Sequence, residues 1–140
     1  MQRKFRESQT WYERAVNLSV DLKSEPLVLY QCFNLGNALL MQNKFSDALV
    51  YYNSMEQLAR ASNLPVQQIQ ALEQMGMANY RMGKSVEAAE NWEKAVELSR
   101  GLRFAEKERA NLEHLRDLYQ ELGDSRRLAV CKAALSQLRS

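Results

Sequence analysis

The stretch Tyr30–Asn63, YQCFNLGNALLMQNKFSDALVYYNSMEQLARASN, decides the fold, because the other segments align on it at one fixed spacing. Leu35-Gly36 recurs forty residues later as Met75-Gly76. Lys44-Phe45 recurs as Lys84-Ser85 and, upstream, as Lys4-Phe5. Ala48 returns as Ala88, Tyr52 matches Tyr12 and Trp92, and Leu58 matches Leu18, Leu98 and Leu138, all at offsets of 40. Self-similarity at a period of this size marks a solenoid, in which each unit is one supersecondary element stacked on its neighbours.

Composition agrees with that reading and narrows the function. A chain of 140 residues with 46% hydrophobic content is long enough for one compact domain. A net charge of +2 with 26% charged residues describes a surface of mixed sign. A nucleic-acid binder concentrates basic charge, so no nucleic-acid partner is expected. Apolar runs such as Ala38–Met41 are far too short to span a bilayer, and Met1–Arg6 is not followed by the apolar core of a secretory signal. Cys32 and Cys131 occupy non-equivalent repeat positions without metal-ligand spacing, and read as two reduced thiols of a cytoplasmic or nuclear protein.

The pattern predicts about seven helices. Residues 6–22 carry an apolar stripe at three and four spacing, Trp11, Tyr12, Ala15, Val16, Leu18 and Leu22, and form a second helix without its first. Ser24-Glu25-Pro26 is a start signal of cap, acid and first-turn proline, giving a helix over 26–42. Phe45-Ser46-Asp47 opens the next with a hydroxyl cap, and it runs to about Ser62. Asn63-Leu64-Pro65 begins a helix that ends near Met82, where Gly83 is placed to adopt a left-handed conformation. Further helices follow over 86–100, ending at Gly101, over 104–122, and over 126–138 after the turn Gly123-Asp124-Ser125. No strand pattern and no Gly/Ser-rich or Pro-rich linker is present.

Along two antiparallel helices, Cys32, Leu35-Gly36, Leu39, Ala48, Tyr52 and Met55, then Leu72, Met75-Gly76, Asn79, Ala88, Trp92 and Ala95, resemble the signature of the tetratricopeptide repeat. The 40-residue form and the string Asn34-Leu35-Gly36-Asn37-Ala38 are similar to the Pins-type polarity adaptors and, more loosely, to kinesin light chains. The resemblance implies an all-α, right-handed superhelical solenoid of antiparallel helix pairs. Residues 1–140 then form a single domain: a lone second helix over 1–24 and helix-pair repeats over 25–63, 64–103 and 104–140, a fragment of a longer protein. Small residues Gly36 with Ala48, and Gly76 with Ala88, let facing backbones approach while Tyr52 or Trp92 fills the gap to the next repeat. The last repeat departs from the pattern with Arg116 for glycine and Leu128 for alanine, and Arg60 and Arg100 stand where the family's usual proline would be.

The resemblance also implies a concave groove lined by the first helix of each repeat. Its lining would be Tyr30, Phe33, Asn37 and Met41, then Gln70, Glu73, Met77 and Arg81, then Ala110, Glu113, Asp117 and Glu121. Asn37 is similar to the asparagine with which such proteins bond a peptide backbone, since an amide both donates and accepts. Phe33, Gln70, Ala110 and His114 occupy the places of the family's cationic clamp, which argues against chaperone-tail binding. Glu113, Asp117 and Glu121 follow at four-residue steps on one face, with Arg109 and Arg116 within helical reach of Glu113. The expected partner is a protein segment with an apolar anchor toward Phe33 and basic residues toward Glu121.

No catalytic constellation, cofactor motif or metal set emerges, so no enzyme is expected. His114 is read as isolated, with Glu113 and Asp117 on other faces. The function expected is a protein-interaction adaptor. The alternative is an assembly domain acting through its ends, where Trp11, Tyr12 and Val16 would give an apolar contact face and self-association through the N-terminal helix.

Overall fold

The computed structural model describes residues 25–139, and these form six α-helices: α1 Glu25–Met41, α2 Phe45–Ala61, α3 Pro65–Arg81, α4 Ser85–Gly101, α5 Ala105–Leu122 and α6 Ser125–Arg139. Each agrees with the sequence reading to within about one residue at either end. The helix expected over 6–22, the Ser24 cap, and the end face of Trp11, Tyr12 and Val16 lie outside the described residues.

Helix starts fall at 25, 45, 65, 85, 105 and 125, so the forty-residue repeat is built from two strides of twenty. The turn between strides explains the regularity. Positions 43, 63, 83, 103 and 123 all have positive φ: Asn43 60°, Asn63 60°, Gly83 76°, Arg103 56° and Gly123 70°. Around each, the next residue's N–H bonds back five residues to a carbonyl in the last turn of the helix, as in Lys44 to Leu39 (2.9 Å), Leu64 to Ala59 (2.8 Å) and Lys84 to Asn79 (2.9 Å). The left-handed residue itself donates one carbonyl further on, as Asn43 does to Leu40 and Gly83 to Tyr80, both at 3.0 Å. This paired closure satisfies carbonyls that a helix end would otherwise leave bare. The carbonyl of the same returning residue then accepts the first bond of the next helix, Ala48 to Lys44 at 2.9 Å and Ala88 to Lys84 at 3.0 Å.

That arrangement corrects two expectations. The cap position of α2 is Lys44, with no side-chain cap bond, because the residue that closes one helix also opens the next; Ser46 already lies inside α2. Gly101 is the last residue of α4, and the left-handed position falls on Arg103. A side-chain cap does form at α6, where Asp124 Oδ1 accepts from the Arg127 N–H at 3.1 Å.

The helices gather into two compact units, the first running to Ala71 and the second starting at Leu72. In the first, α1 packs on α2 around Val28, Leu29, Cys32, Met55, Ala59 and Ala71, and Leu35, Leu39 and Tyr52 are wholly removed from solvent. Burying each of those leucines contributes about 2 kcal/mol from apolar area alone. In the second, α5 packs on both α4 and α6. Its core includes Trp92, Val96, Leu112, Leu115, Tyr119 and Cys131.

At each crossing the aromatic residue lies against the glycine of its own helix pair. A Cβ on Gly36 would stand 2.6 Å from the Tyr52 ring. Trp92 meets Gly76 closer still, and its other face stacks on His114 of α5 with centroids 4.9 Å apart and planes 15° apart. Trp92 therefore serves both its own repeat and the next; Tyr52 is matched to Phe33 of α1 at 6.5 Å.

Candidate functional site

Half of the residues expected in the groove divide between two clefts, one in each unit. The cleft of the first unit has a volume of about 320 Å³ and an apolar wall built from Pro26, Leu29, Tyr30 and Phe33 of α1, with Met55 of α2. Leu64, Gln67 and Gln70 close its other side. Tyr30 is 61% exposed, although it is a large aromatic on a helix whose buried residues are otherwise aliphatic. Phe33 is half-buried against Tyr52. Met41, at 84% exposure, continues the same helix toward its C-terminal end without entering the cleft.

Asn37 is half-buried, and its Oδ1 accepts from the Tyr52 hydroxyl. Burial pushes the Tyr52 phenol well above its ordinary value, so that hydroxyl remains a donor. Asn37 thus keeps its amide donors while its acceptor is used internally.

The second unit carries a smaller pocket of about 160 Å³. Met77 and Tyr80 of α3 line it with Trp92 of α4 and with His114, Asp117, Leu118 and Glu121 of α5. The Tyr80 hydroxyl donates to Glu121 Oε1 at 2.6 Å, and this bond pushes the phenol above its ordinary value. Asp117 Oδ1 accepts from Arg116 Nε at 3.1 Å.

Three expectations change here. Glu113 does not share the pocket with Asp117 and Glu121, because steps of four overshoot a 3.6-residue turn and the set drifts by about 80° over eight residues. Arg116 pairs with Asp117 and not with Glu113. His114 and Asp117 are not on separate faces: three residues apart, they line the same pocket, and His114 is held in place by the Trp92 stack.

Glu73 has an internal role. Its carboxylate receives Lys107 Nζ at 3.3 Å and Asn111 Nδ2 at 2.9 Å, while its main-chain carbonyl receives Trp92 Nε1 at 3.2 Å. It thereby ties α3 to α4 and α5. Arg81 is exposed, Ala110 and Glu113 are half-buried, and none of these three lines either cleft.

A third cavity, of about 380 Å³, escaped the sequence reading, which took only the first helix of each repeat as groove lining, whereas this cavity also draws on α4 and α6. It opens among α4, α5 and α6 over Val96, Leu112, Leu115 and Ala134, with Glu93 and Arg127 at its edge. Tyr119 donates to Glu93, and the Arg127 guanidinium lies 5.8 Å from the Tyr119 ring centre. Cys131 is buried beside it, and burial followed by the nearby Glu93 charge raises its thiol, the opposite of what a reactive cysteine requires. The two arginines at the family's proline place are engaged: Arg60 with Glu56 at 3.8 Å and Arg100 with the buried Glu108 at 2.9 Å.

Among the described residues no group of three or more His, Cys, Asp and Glu side chains could hold a metal, and no helix is long and apolar enough to cross a membrane. No family model matches the sequence, and no curated protein aligns with it significantly. Solved structures do share the fold. The apo form of RapI superposes with a TM-score of 0.83 at 11% identity over 98% of this chain. A Rap protein complexed with competence and sporulation factor gives 0.79 at 15% over 96%. The tetratricopeptide-repeat domain of Arabidopsis FLU gives 0.69 at 19% over 82% of this chain and 94% of its own length. The chain spans 38% of the length of the two Rap chains. The fold is thus an all-α helical repeat of the tetratricopeptide type.

Proposed function

We propose that this chain is a protein-interaction module that binds a segment of a partner protein, without chemistry of its own, through the α1 face of the first unit. The supporting observation is the cleft that brings together Tyr30, Phe33 and Gln70, three residues expected to contact a partner from sequence alone. Its volume of about 320 Å³ is near the lower end of ligand sites, which start at about 300 Å³, and suits one or two anchoring side chains. Exposed aromatic residues beside a preformed cavity are the kind of contact that carries binding energy. The Asn37 amide, one turn away, offers donors to a backbone laid along α1. The fold supports the reading, since a Rap protein of the same architecture was solved with competence and sporulation factor bound.

The test is selection of peptides from a random display library on the intact chain, followed by affinity measurement for the best of them. Recovered peptides should share an apolar anchor, and Tyr30→Ala, a change at an exposed position, should weaken binding about tenfold, equivalent to about 1.4 kcal/mol. Phe33→Ala should weaken it further. Failure to recover any peptide, or unchanged affinity in both variants with helicity retained, would overturn the proposal.

A further inference from the structure

The pocket of the second unit differs from the first in kind. Its 160 Å³ is about half the volume at which whole small-molecule sites begin, and is the scale of a single long side chain. Its wall is prearranged: His114 is stacked on the buried Trp92, and Glu121 is held by the Tyr80 hydroxyl. Met77 supplies apolar surface, with Leu118 almost wholly buried behind it. Two carboxylates line it, Asp117 and Glu121, and no lysine or arginine does.

Each carboxylate has one oxygen engaged, Asp117 Oδ1 by Arg116 and Glu121 Oε1 by Tyr80. The second oxygen of each has no partner among the described residues. Arg116 reaches Asp117 from outside the pocket lining. Nor does the repeat require acids at these positions, since the preceding repeat has Met77 and Arg81 where this one has Asp117 and Glu121. The acids are thus particular to this pocket: Asp117 has Arg116 as a counter-charge on one oxygen, and Glu121 is held there by a neutral phenol.

We propose that this pocket is a subsite for one cationic side chain, a lysine or arginine of a partner segment, its aliphatic stem along Met77 and its head group between the Asp117 and Glu121 carboxylates. The assignment rests on the reading of the chain as a module that binds partner segments and adds the chemistry of one bound side chain in the second unit. Charge-assisted bonds to two carboxylates are among the stronger polar contacts available, and the planar guanidinium can engage both. An exposed rim pair alone would contribute little, so the stem's contact with Met77 matters as much as the charge.

The experiment repeats the library selection on the wild-type chain and on Asp117→Asn/Glu121→Gln, which keeps shape and removes both charges. Wild-type peptides should carry arginine or lysine at one fixed position, and selection on the variant should lose that preference. For one wild-type peptide, replacing that residue by neutral citrulline should weaken binding about tenfold, and the double variant should weaken it by the same factor. The two changes together should cost no more than either alone, a coupling that a merely structural role for the acids would not produce.

Recovery of peptides without a fixed cation, or additive losses, would overturn the subsite while leaving the binding module standing. Recovery of no peptide would overturn both. An affinity lost to Tyr30→Ala but indifferent to Asp117→Asn/Glu121→Gln would likewise confine binding to the first unit.

Discussion

The two glycine–aromatic crossings solve the same packing problem with different polar handles. In the first unit Tyr52 lies on Gly36 and sends its hydroxyl to the Asn37 side chain. In the second Trp92 lies on Gly76 and sends its indole N–H to the main-chain carbonyl of Glu73 at 3.2 Å. Both rings are buried and both remove the room for a Cβ. The tyrosine, however, takes up the oxygen of the Asn37 side chain, whose amide we propose for a ligand, whereas the tryptophan uses backbone and leaves the position after the glycine, Met77, to line a pocket. The choice of aromatic therefore sets what the neighbouring surface can offer.

The sharpest way to break this comparison is to add a methyl at each glycine. Gly76→Ala should be the more damaging, by about 3 kcal/mol, because the Cβ meets the indole nitrogen itself and displacing the ring also strains its hydrogen bond. Gly36→Ala, with its nearest contact at 2.6 Å to a ring carbon, should cost about 2 kcal/mol. Urea unfolding of the two variants decides the order, and equal losses would show that the polar handle contributes nothing to the crossing.

Alkaline titration sharpens the comparison at the level of the cores. Burial pushes the Cys32 thiol from 9.0 up to about 11. Below pH 9 the thiol is protonated folded or unfolded, and the fold has its full stability. Between about pH 9 and 11 the unfolded chain releases the proton that the folded chain retains, so stability falls by about 2 kcal/mol across that window. Denaturation midpoints measured from pH 8 to 11 should decline, and Cys32→Ala, although less stable at neutral pH, should flatten that decline.

The smallest expected effect is that of Tyr52→Phe, which keeps the ring over Gly36 and removes only the bond to Asn37. A loss of about 1 kcal/mol is expected, measured by the same urea unfolding, because the half-buried Asn37 oxygen loses its donor. A larger loss would mean that the hydroxyl positions the ring.

The architecture was legible in the sequence because the signals that mark it are local and recur: apolar periodicity, glycine on one helix facing alanine on the next, and turn residues at a constant spacing. Gly83 and Gly123 announced left-handed turn positions directly. Arg103 did not, since nothing in an arginine calls for positive φ; only its register, forty residues after Asn63, could have located it. The candidate site was less legible for a geometric reason. Which of several groove residues share a cavity depends on the angle each makes with a neighbouring helix, and one family register assigns them all alike. Tyr30, Phe33 and Gln70 did converge, whereas Glu73 became a tie between helices and Glu113 rotated away. His114 looked inert because its significance lies in Trp92, a residue distant in sequence that fixes its ring.

The twenty-residue turn has a consequence for how such a chain can change over generations. Because the residue that closes one helix also opens the next, there is no slack between them in which an extra residue could be absorbed. One inserted residue would turn every following helix by about 100° and carry its apolar face away from its neighbours. Length can thus grow or shrink only in whole strides, and descent with altered partners must proceed by exchanging side chains on a lattice of positions whose spacing does not move. Insertions and deletions among descendants are accordingly expected in multiples of forty residues, two strides, or at the chain ends, while the charge of residues such as those at 77, 81, 117 and 121 changes with the partner.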